Sequence, residues 1–147
     1  MQLSEHFSLA ELTVSENARR LGLSNDPPPD ILARLRTVAY QMERVRIALG
    51  EKPIRVTSAY RSPAVNRAAG GAKTSAHLEG WAVDFQCPAF GSPLQVAEKI
   101  ARSSITFDQL IHEHGVWVHL SFDPKRRGQV LTIDGRGTRS GLLEARS

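Results

Sequence analysis

The chain has 147 residues, a length that fits one ordinary domain. A hydrophobic content of 41% is enough for one packed core and excludes a disordered chain, while the single cysteine, Cys87, excludes an intramolecular disulfide. The net charge is +4, which permits attraction to an anionic polymer such as nucleic acid or an anionic cell wall.

The start of the chain lacks the features of an export signal. Residues 1–7 have neither a basic start nor an apolar run. No later segment approaches the roughly 20 apolar residues that a membrane span requires. We therefore expect cytoplasmic synthesis without a signal peptide and no transmembrane segment, so that any export depends on another protein.

The first third of the chain has helical patterns. Ser8 and Glu11 form a capping box, which predicts a short helix that ends near Gly22. After the proline-rich turn at 25–29, Asp30 is expected to cap a long helix that ends at Gly50. The apolar residues of that helix recur at helical spacing and are predicted to face the core. They are Ile31, Leu32, Leu35, Val38, Ala39, Met42, Val45 and Leu49.

Beyond Pro53 the hydrophobic period becomes that of strands, with two further helices. The predicted strands cover residues 54–58, 81–85, 107–113, 117–122 and 129–133. The predicted helices begin at Ser62 and at Ser92. From Gly135 the tail is rich in Gly, Arg and Ser and is expected to be loose. These elements predict a single α+β domain, 1–147, with helices packed on a small antiparallel sheet.

Basic residues gather late in the chain. They are Lys125, Arg126, Arg127, Arg136, Arg139 and Arg146. We interpret them as a solvated basic face, with attraction to an anionic polymer as the alternative. Since no recognition helix, zinc finger or RNA-binding signature accompanies the charge, we expect no specific nucleic-acid partner.

Three residues form a possible metal-binding set: His77, Asp84 and His119. Three protein ligands leave a fourth position open for water, and this open position separates a catalytic zinc site from a closed structural one. If the three side chains converge, the chain is a metal-dependent hydrolase with one zinc in a cleft on the sheet. Histidine and carboxylate also suit other transition metals.

A carboxylate is expected beside this set. Strand alternation places Glu113 and His119 on one face of a predicted hairpin, which can bring them close together. A carboxylate there can take a proton from water and later give it to the leaving amine. His112 and His114 are rival candidates for the base, although His112 alternates away from Glu113 and is expected to be exposed.

Arg61 is the best candidate for substrate binding. Its guanidinium offers a planar fork of donors to a substrate carboxylate or to an oxyanion. The predicted site therefore combines a metal, a carboxylate and an arginine.

These residues lie in motifs that resemble the M15 group of zinc peptidases. The similar segments are Val56-Thr57-Ser58-Ala59-Tyr60-Arg61-Ser62, His77-x-x-Gly80-x-Ala82-x-Asp84 and Trp117-Val118-His119. Leu3–Phe7 and Asn66–Gly71 resemble the small members of the group. The group contains D-alanyl-D-alanine carboxypeptidases, D-alanyl-D-alanine dipeptidases and phage L-alanyl-D-glutamate endolysins.

The resemblance implies roles for single residues. His77, Asp84 and His119 would be the ligands of one Zn²⁺. Arg61 would bind a substrate carboxylate or carbonyl, and Ser75 would assist it. Better-known members carry an acidic catalytic residue three positions before the final zinc histidine. That position is Val116 here, so Glu113 is the predicted substitute.

The resemblance also implies a function. We expect a monomeric zinc metallopeptidase that hydrolyses an amide bond in peptidoglycan stem peptides or cross-links, as a carboxypeptidase or an endopeptidase. A phage or prophage lysis enzyme with holin-type release, a virion-borne wall hydrolase and a cytoplasmic dipeptidase all fit this expectation. The alternative, motivated by Val116, is a non-catalytic wall-binding domain that keeps zinc for structure.

Overall fold

The structure is a computed structural model that describes residues 1–146. The helices over that range are α1 (Leu9–Leu12), α2 (Glu16–Leu21), α3 (Pro29–Ala48), α4 (Pro63–Ala68) and α5 (Pro93–Ala101). The strands are β1 (Arg55–Ser58), β2 (Ala82–Gln86), β3 (Gln109–Glu113), β4 (Trp117–Ser121), β5 (Gln129–Asp134) and β6 (Gly137–Ser140). No helix in this range has both the length and the apolar character of a membrane span.

Contacts within the chain divide it into two interleaved units. The first contains Met1–Glu43 and Val56–Val83, and the second contains Arg44–Arg55 and the chain from Asp84 onward. The buried core of the first unit includes Phe7, Leu12, Leu35, Val38, Met42 and Val65. The buried core of the second includes Val45, Leu49, Phe85, Val96, Ile100, Leu110, Val118 and Leu120. The predicted apolar stripe of the long helix therefore supplies core residues to both.

The predicted N-terminal helix is two helices in the structure. Ser8 and Glu11 make the expected capping box at the start of α1. α1 ends at Leu12, and Thr13 after it lies outside helical geometry. Ser15 then caps a new helix, because its hydroxyl oxygen accepts from the Ala18 N–H at 3.0 Å. Gly22 ends α2 with a φ of 64°, which glycine adopts without strain. Two serine caps thus divide one apolar pattern into two short helices.

The long helix, α3, begins one residue before the predicted cap. Pro29 is its first residue, and Asp30 lies inside its first turn. Proline fits the first position because its missing N–H would have no partner within the helix. A carboxylate in the first turn still favours the helix through the helix dipole.

The six strands form one mixed sheet in the order β1-β2-β4-β3-β5-β6. The predicted α+β class is confirmed, but the sheet is not wholly antiparallel. β3 pairs antiparallel with β4 and parallel with β5. The connection 122–128 leaves the end of β4 beside the start of β3 and passes to the other side of that strand. β5 therefore starts beside Gln109 and runs in the direction of β3.

A buried carboxylate fixes this connection. Asp108 accepts hydrogen bonds from the backbone N–H of Arg127 at 3.0 Å and from its Nε and Nη2, each at 2.9 Å. The Arg127 guanidinium lowers the pKa of Asp108 although burial opposes the shift. The residue predicted to belong to a solvated basic face therefore holds the parallel strand in place.

The tail from Gly135, predicted to be loose, contains the strand β6. Asp134 accepts from the backbone N–H groups of Arg136 and Arg146 and from the Arg139 guanidinium. The hydrogen bond from the Arg136 backbone N–H lowers the pKa of Asp134 most, and those from Arg146 and Arg139 lower it further. The Gly, Arg and Ser content predicted mobility, but the buried Asp134 carboxylate binds three arginines of this segment and orders it.

We expect Asp108→Asn to lower the free energy of unfolding at neutral pH. The loss should be about 1.5 kcal/mol, at the low end for hydrogen bonds to charged groups because Arg127 is half-exposed and screened by solvent. Since the pKa of Asp108 is lowered in the folded protein, this stabilisation is present above the ordinary carboxyl pKa and is lost as the pH falls through the lowered one.

Urea unfolding followed by tryptophan fluorescence, at neutral and at stepwise lower pH, measures both effects. The exposed Asp26→Asn is the matched control and should behave as the parent. A variant as stable as the parent at neutral pH, or a difference that does not narrow in acid, would contradict the role of Asp108.

Candidate metal centre

His77 is buried in the loop between α4 and β2, with only 4% of its surface exposed. Its Nδ1 lies 2.6 Å from the carbonyl oxygen of Ala59. A carbonyl can only accept, so Nδ1 carries a proton, and in the neutral ring Nε2 is then the nitrogen with the lone pair. Histidines that bind metals commonly donate their other ring N–H in this way, which fixes the tautomer and the ring orientation.

Ser75 shapes the same loop. Its hydroxyl oxygen accepts from the backbone N–H of His77 at 3.2 Å, and its own N–H donates to the Ala72 carbonyl at 3.1 Å. The structure thus gives this serine a part in holding His77, a role that the sequence did not indicate.

Arg61 lies just before α4 and is hydrogen-bonded to the His77 loop. Its backbone N–H donates to the His77 carbonyl at 3.1 Å. Its guanidinium donates to Ser58 Oγ at 3.3 Å and to Asn66 Oδ1 at 3.4 Å. A side chain at Gly71 would collide with Asn66 Oδ1, because an added Cβ would lie only 2.1 Å away. Gly71 therefore lets the loop close over this amide.

Two buried asparagines, which sequence reasoning did not single out, position the Arg61 segment. Asn25 donates to the carbonyls of Thr13 and Tyr60 and accepts from the Ser62 N–H at 2.8 Å. Asn66 donates to the Ala72 carbonyl at 3.0 Å. Their signal was weak in the sequence because an isolated asparagine beside a turn is common.

Asp84 and His119 lie on strands, as predicted, and the structure shows that these strands, β2 and β4, are neighbours. The Oδ1 of Asp84 is 2.9 Å from Nδ1 of His119, and both residues are buried. Glu113 lies on the next strand, β3, with its Oε1 3.8 Å from the same nitrogen. Ile111 pairs with His119, and Glu113, two residues further along β3, has its side chain on the same sheet face, so the 3.8 Å distance confirms the predicted approach of Glu113 to His119.

Ligand atoms of the three predicted metal residues converge. One nitrogen or oxygen atom from each of His77, Asp84 and His119 lies within 4.8 Å of the others, and all three residues are buried. Two imidazoles and one carboxylate form a donor set that suits zinc. Because Nδ1 of His77 contacts Ala59, Nε2 is the His77 nitrogen through which a metal would be bound. The residues present therefore fit a divalent metal ion.

The rival bases lie elsewhere. His112 is buried rather than exposed, because its Nδ1 lies 3.0 Å from the Leu143 carbonyl on the opposite sheet face. His114 is an exposed turn residue whose ring lies 5.2 Å from that of Trp117. Val116, at the usual acidic position, is 49% exposed in the same turn. Within residues 1–146, the Nε1 of Trp117 is a buried donor without a protein acceptor, which a bound molecule could satisfy.

A buried group of two histidines and one carboxylate is compatible with a metal-dependent enzyme. The chain belongs to the peptidase M15 family, because the family's model matches residues 5–121. The match begins before α1 and ends with β4, so it includes the whole group of His77, Asp84, Glu113 and His119 and leaves β5 and β6 outside. No curated protein matches the chain.

We expect Asp84→Asn to weaken zinc binding at least about a hundredfold, because losing residues outside the ligand shell already costs ten- to a hundredfold in metal affinity. Asparagine keeps the size of the side chain but removes the charge that an ion would neutralise. Competition with a chromophoric zinc chelator measures the affinity, and Asp26→Asn is the control. Equal affinity in the parent and the Asp84 variant would show that the ion binds elsewhere.

Proposed function

We propose that this protein is a zinc-dependent metallopeptidase that hydrolyses an amide bond in peptidoglycan stem peptides or cross-links, with residues 1–147 acting as one domain. The observation that carries the proposal is the buried His77, Asp84 and His119 group, with Glu113 beside it, in a chain of the peptidase M15 family. The enzyme would act at the cell wall, either released at lysis or carried by a virion.

His77, Asp84 and His119 would hold the ion. When bound, zinc lowers the pKa of water and polarises the carbonyl of the scissile amide. The protein contributes a buried site whose low dielectric strengthens every electrostatic interaction within it. The Ala59 carbonyl also fixes the orientation of the His77 ring within this site.

Glu113 is the proposed general base and acid. Its carboxylate would take a proton from the attacking water and deliver it to the nitrogen of the leaving amine, so the carboxylate ends the cycle as it began. Glu113 is held on a strand with its Oε1 3.8 Å from His119 Nδ1, which places it beside a proposed ligand. With Glu113 as the base, the enzyme would not need an acidic residue at position 116.

Arg61 is the proposed substrate-binding residue. Ser58 and Asn66 hold its guanidinium, so little rotamer freedom is lost when it binds a carboxylate or carbonyl oxygen. Ser75 would support the same function by fixing the loop that carries His77. A carboxypeptidase would use Arg61 for a free terminal carboxylate, whereas an endopeptidase would use it for a chain carbonyl.

Digestion of purified peptidoglycan tests the reaction. We expect zinc-loaded protein to cleave it and chelator-stripped protein to be inactive, with zinc restoring activity. Mass spectrometry of the products separates the two modes: released D-alanine means a carboxypeptidase, and a new amino terminus within or between stem peptides means an endopeptidase. Undiminished cleavage without the metal would contradict the proposal.

Glu113→Gln tests the base. Turnover should fall about a hundredfold to ten-thousandfold, the usual contribution of a positioned proton-transfer group, while zinc content stays at the parent level. Glu79→Gln is the matched control, because Glu79 is an exposed residue of the His77 loop. Unchanged turnover in the Glu113 variant would exclude this role.

The same two experiments address the wall-binding alternative. A parent protein that binds zinc and sediments with peptidoglycan but releases no product would be a binding domain. The approach of Glu113 to His119 favours the enzyme over this alternative, because a structural zinc site does not require a nearby carboxylate outside its ligands.

A further inference from the structure

A groove of about 370 Å³ opens at the sheet end where β2 finishes and β4 begins. Pro88, Pro93, Gly115 and Val116 supply its apolar and backbone walls, and Arg55 and Gln86 supply side-chain polar groups. All of its lining residues lie in the described part of the chain, and Arg55 is the one that carries a charge. The groove is therefore a small, mostly uncharged recess with one cation.

The cation is held by a neutral partner. The Gln86 side chain donates from Nε2 to the Val116 carbonyl at 2.7 Å, which fixes the amide. Its Oε1 then accepts from Nη2 of Arg55. An amide orients the guanidinium without cancelling its charge, unlike the carboxylates of Asp108 and Asp134 that bind Arg127 and Arg139. Arg55 therefore keeps its attraction for an anion.

The groove lies beside the proposed reacting groups along two strands, although none of those groups lines it. Gln86 lies two residues beyond Asp84 on β2, so the two side chains share a face and are about 7 Å apart along the strand. Val116 directly precedes Trp117, which pairs with Glu113. A peptide whose scissile bond lies at Glu113 can thus place a neighbouring residue in the groove.

We propose that this groove is a specificity subsite that accepts a carboxylate-bearing residue of the peptide substrate, with Arg55 binding the carboxylate. The inference rests on the proposed peptidase function and adds the charge that the substrate must carry beside the scissile bond. Guanidinium and carboxylate match in charge and in planar geometry, and the apolar walls would cover the aliphatic part of that residue. Gln86 is the positioning residue that aims Arg55.

Matched stem peptides that carry their side carboxylates either free or as primary amides test the subsite. Arg55→Gln should raise KM about tenfold for the carboxylate peptide, the effect of losing one charge-assisted hydrogen bond. The kcat should stay near the parent value, and the amidated peptide should be cleaved as by the parent. Arg102→Gln, at the exposed C-cap of α5, is the control with the same change in net charge.

The ratio of kcat/KM for the two peptides is the deciding quantity, because a merely structural role would lower both values together. An unchanged ratio in the Arg55 variant would overturn the subsite. If the parent cleaves neither peptide, the proposed reaction fails. Calorimetric titration of the parent and Arg55→Gln with both peptides then judges the groove by binding: an Arg55-dependent preference for the carboxylate supports it, and no preference overturns it.

Discussion

The burial of Asp84 beside His119 is the constraint on which the candidate site depends. A carboxylate and an imidazole taken out of water carry a large desolvation cost unless each has a partner. Their 2.9 Å contact supplies one partner, and a metal ion would supply a stronger one. The strands that carry them cannot slip by one residue, because a slip would move both polar groups into the core and expose Val83, Phe85, Val118 and Leu120. Core packing therefore fixes the geometry of the site.

Neutral groups, and not charged ones, hold the segments that carry His77 and Arg61, and this choice has a chemical reason. The Ala59 carbonyl, Asn25 and Asn66 bind the segments that carry His77 and Arg61 without adding charge near them. A carboxylate in any of these places would neutralise Arg61 or compete with the candidate ligands for a metal ion. Arg55 differs from Arg127 and Arg139 in the same way. The Gln86 amide holds Arg55 and leaves its charge unneutralised, whereas carboxylates bind the other two.

The C-terminal part of the chain shows what composition leaves undetermined. The basic residues late in the chain are exposed apart from the partly buried Arg139, as in a solvated face, yet Arg127 and Arg139 also bind buried carboxylates. Asp108 and Asp134 were not recognised as their partners because the paired residues lie on different elements, or close in sequence without a helical spacing that would mark them. Asp108 binds the connection that leads into the parallel β5, and Asp134 binds the segment around β6, two features that the composition did not predict.

The sequence alone determined the kinds of residue at the site and their faces: alternation placed Glu113 with His119 on one side of a hairpin, and serine and glycine caps marked the helix ends. Local physics suffices there, because strand and helix periods are properties of a few consecutive residues. Only the tertiary structure decided that the His77 ring turns its Nδ1 to Ala59, that β5 runs parallel to β3, and that His112 is buried under the tail. Each of these depends on a partner distant in the chain, and the hydrogen-bonding capacity of a side chain does not specify which distant partner the fold will bring to it.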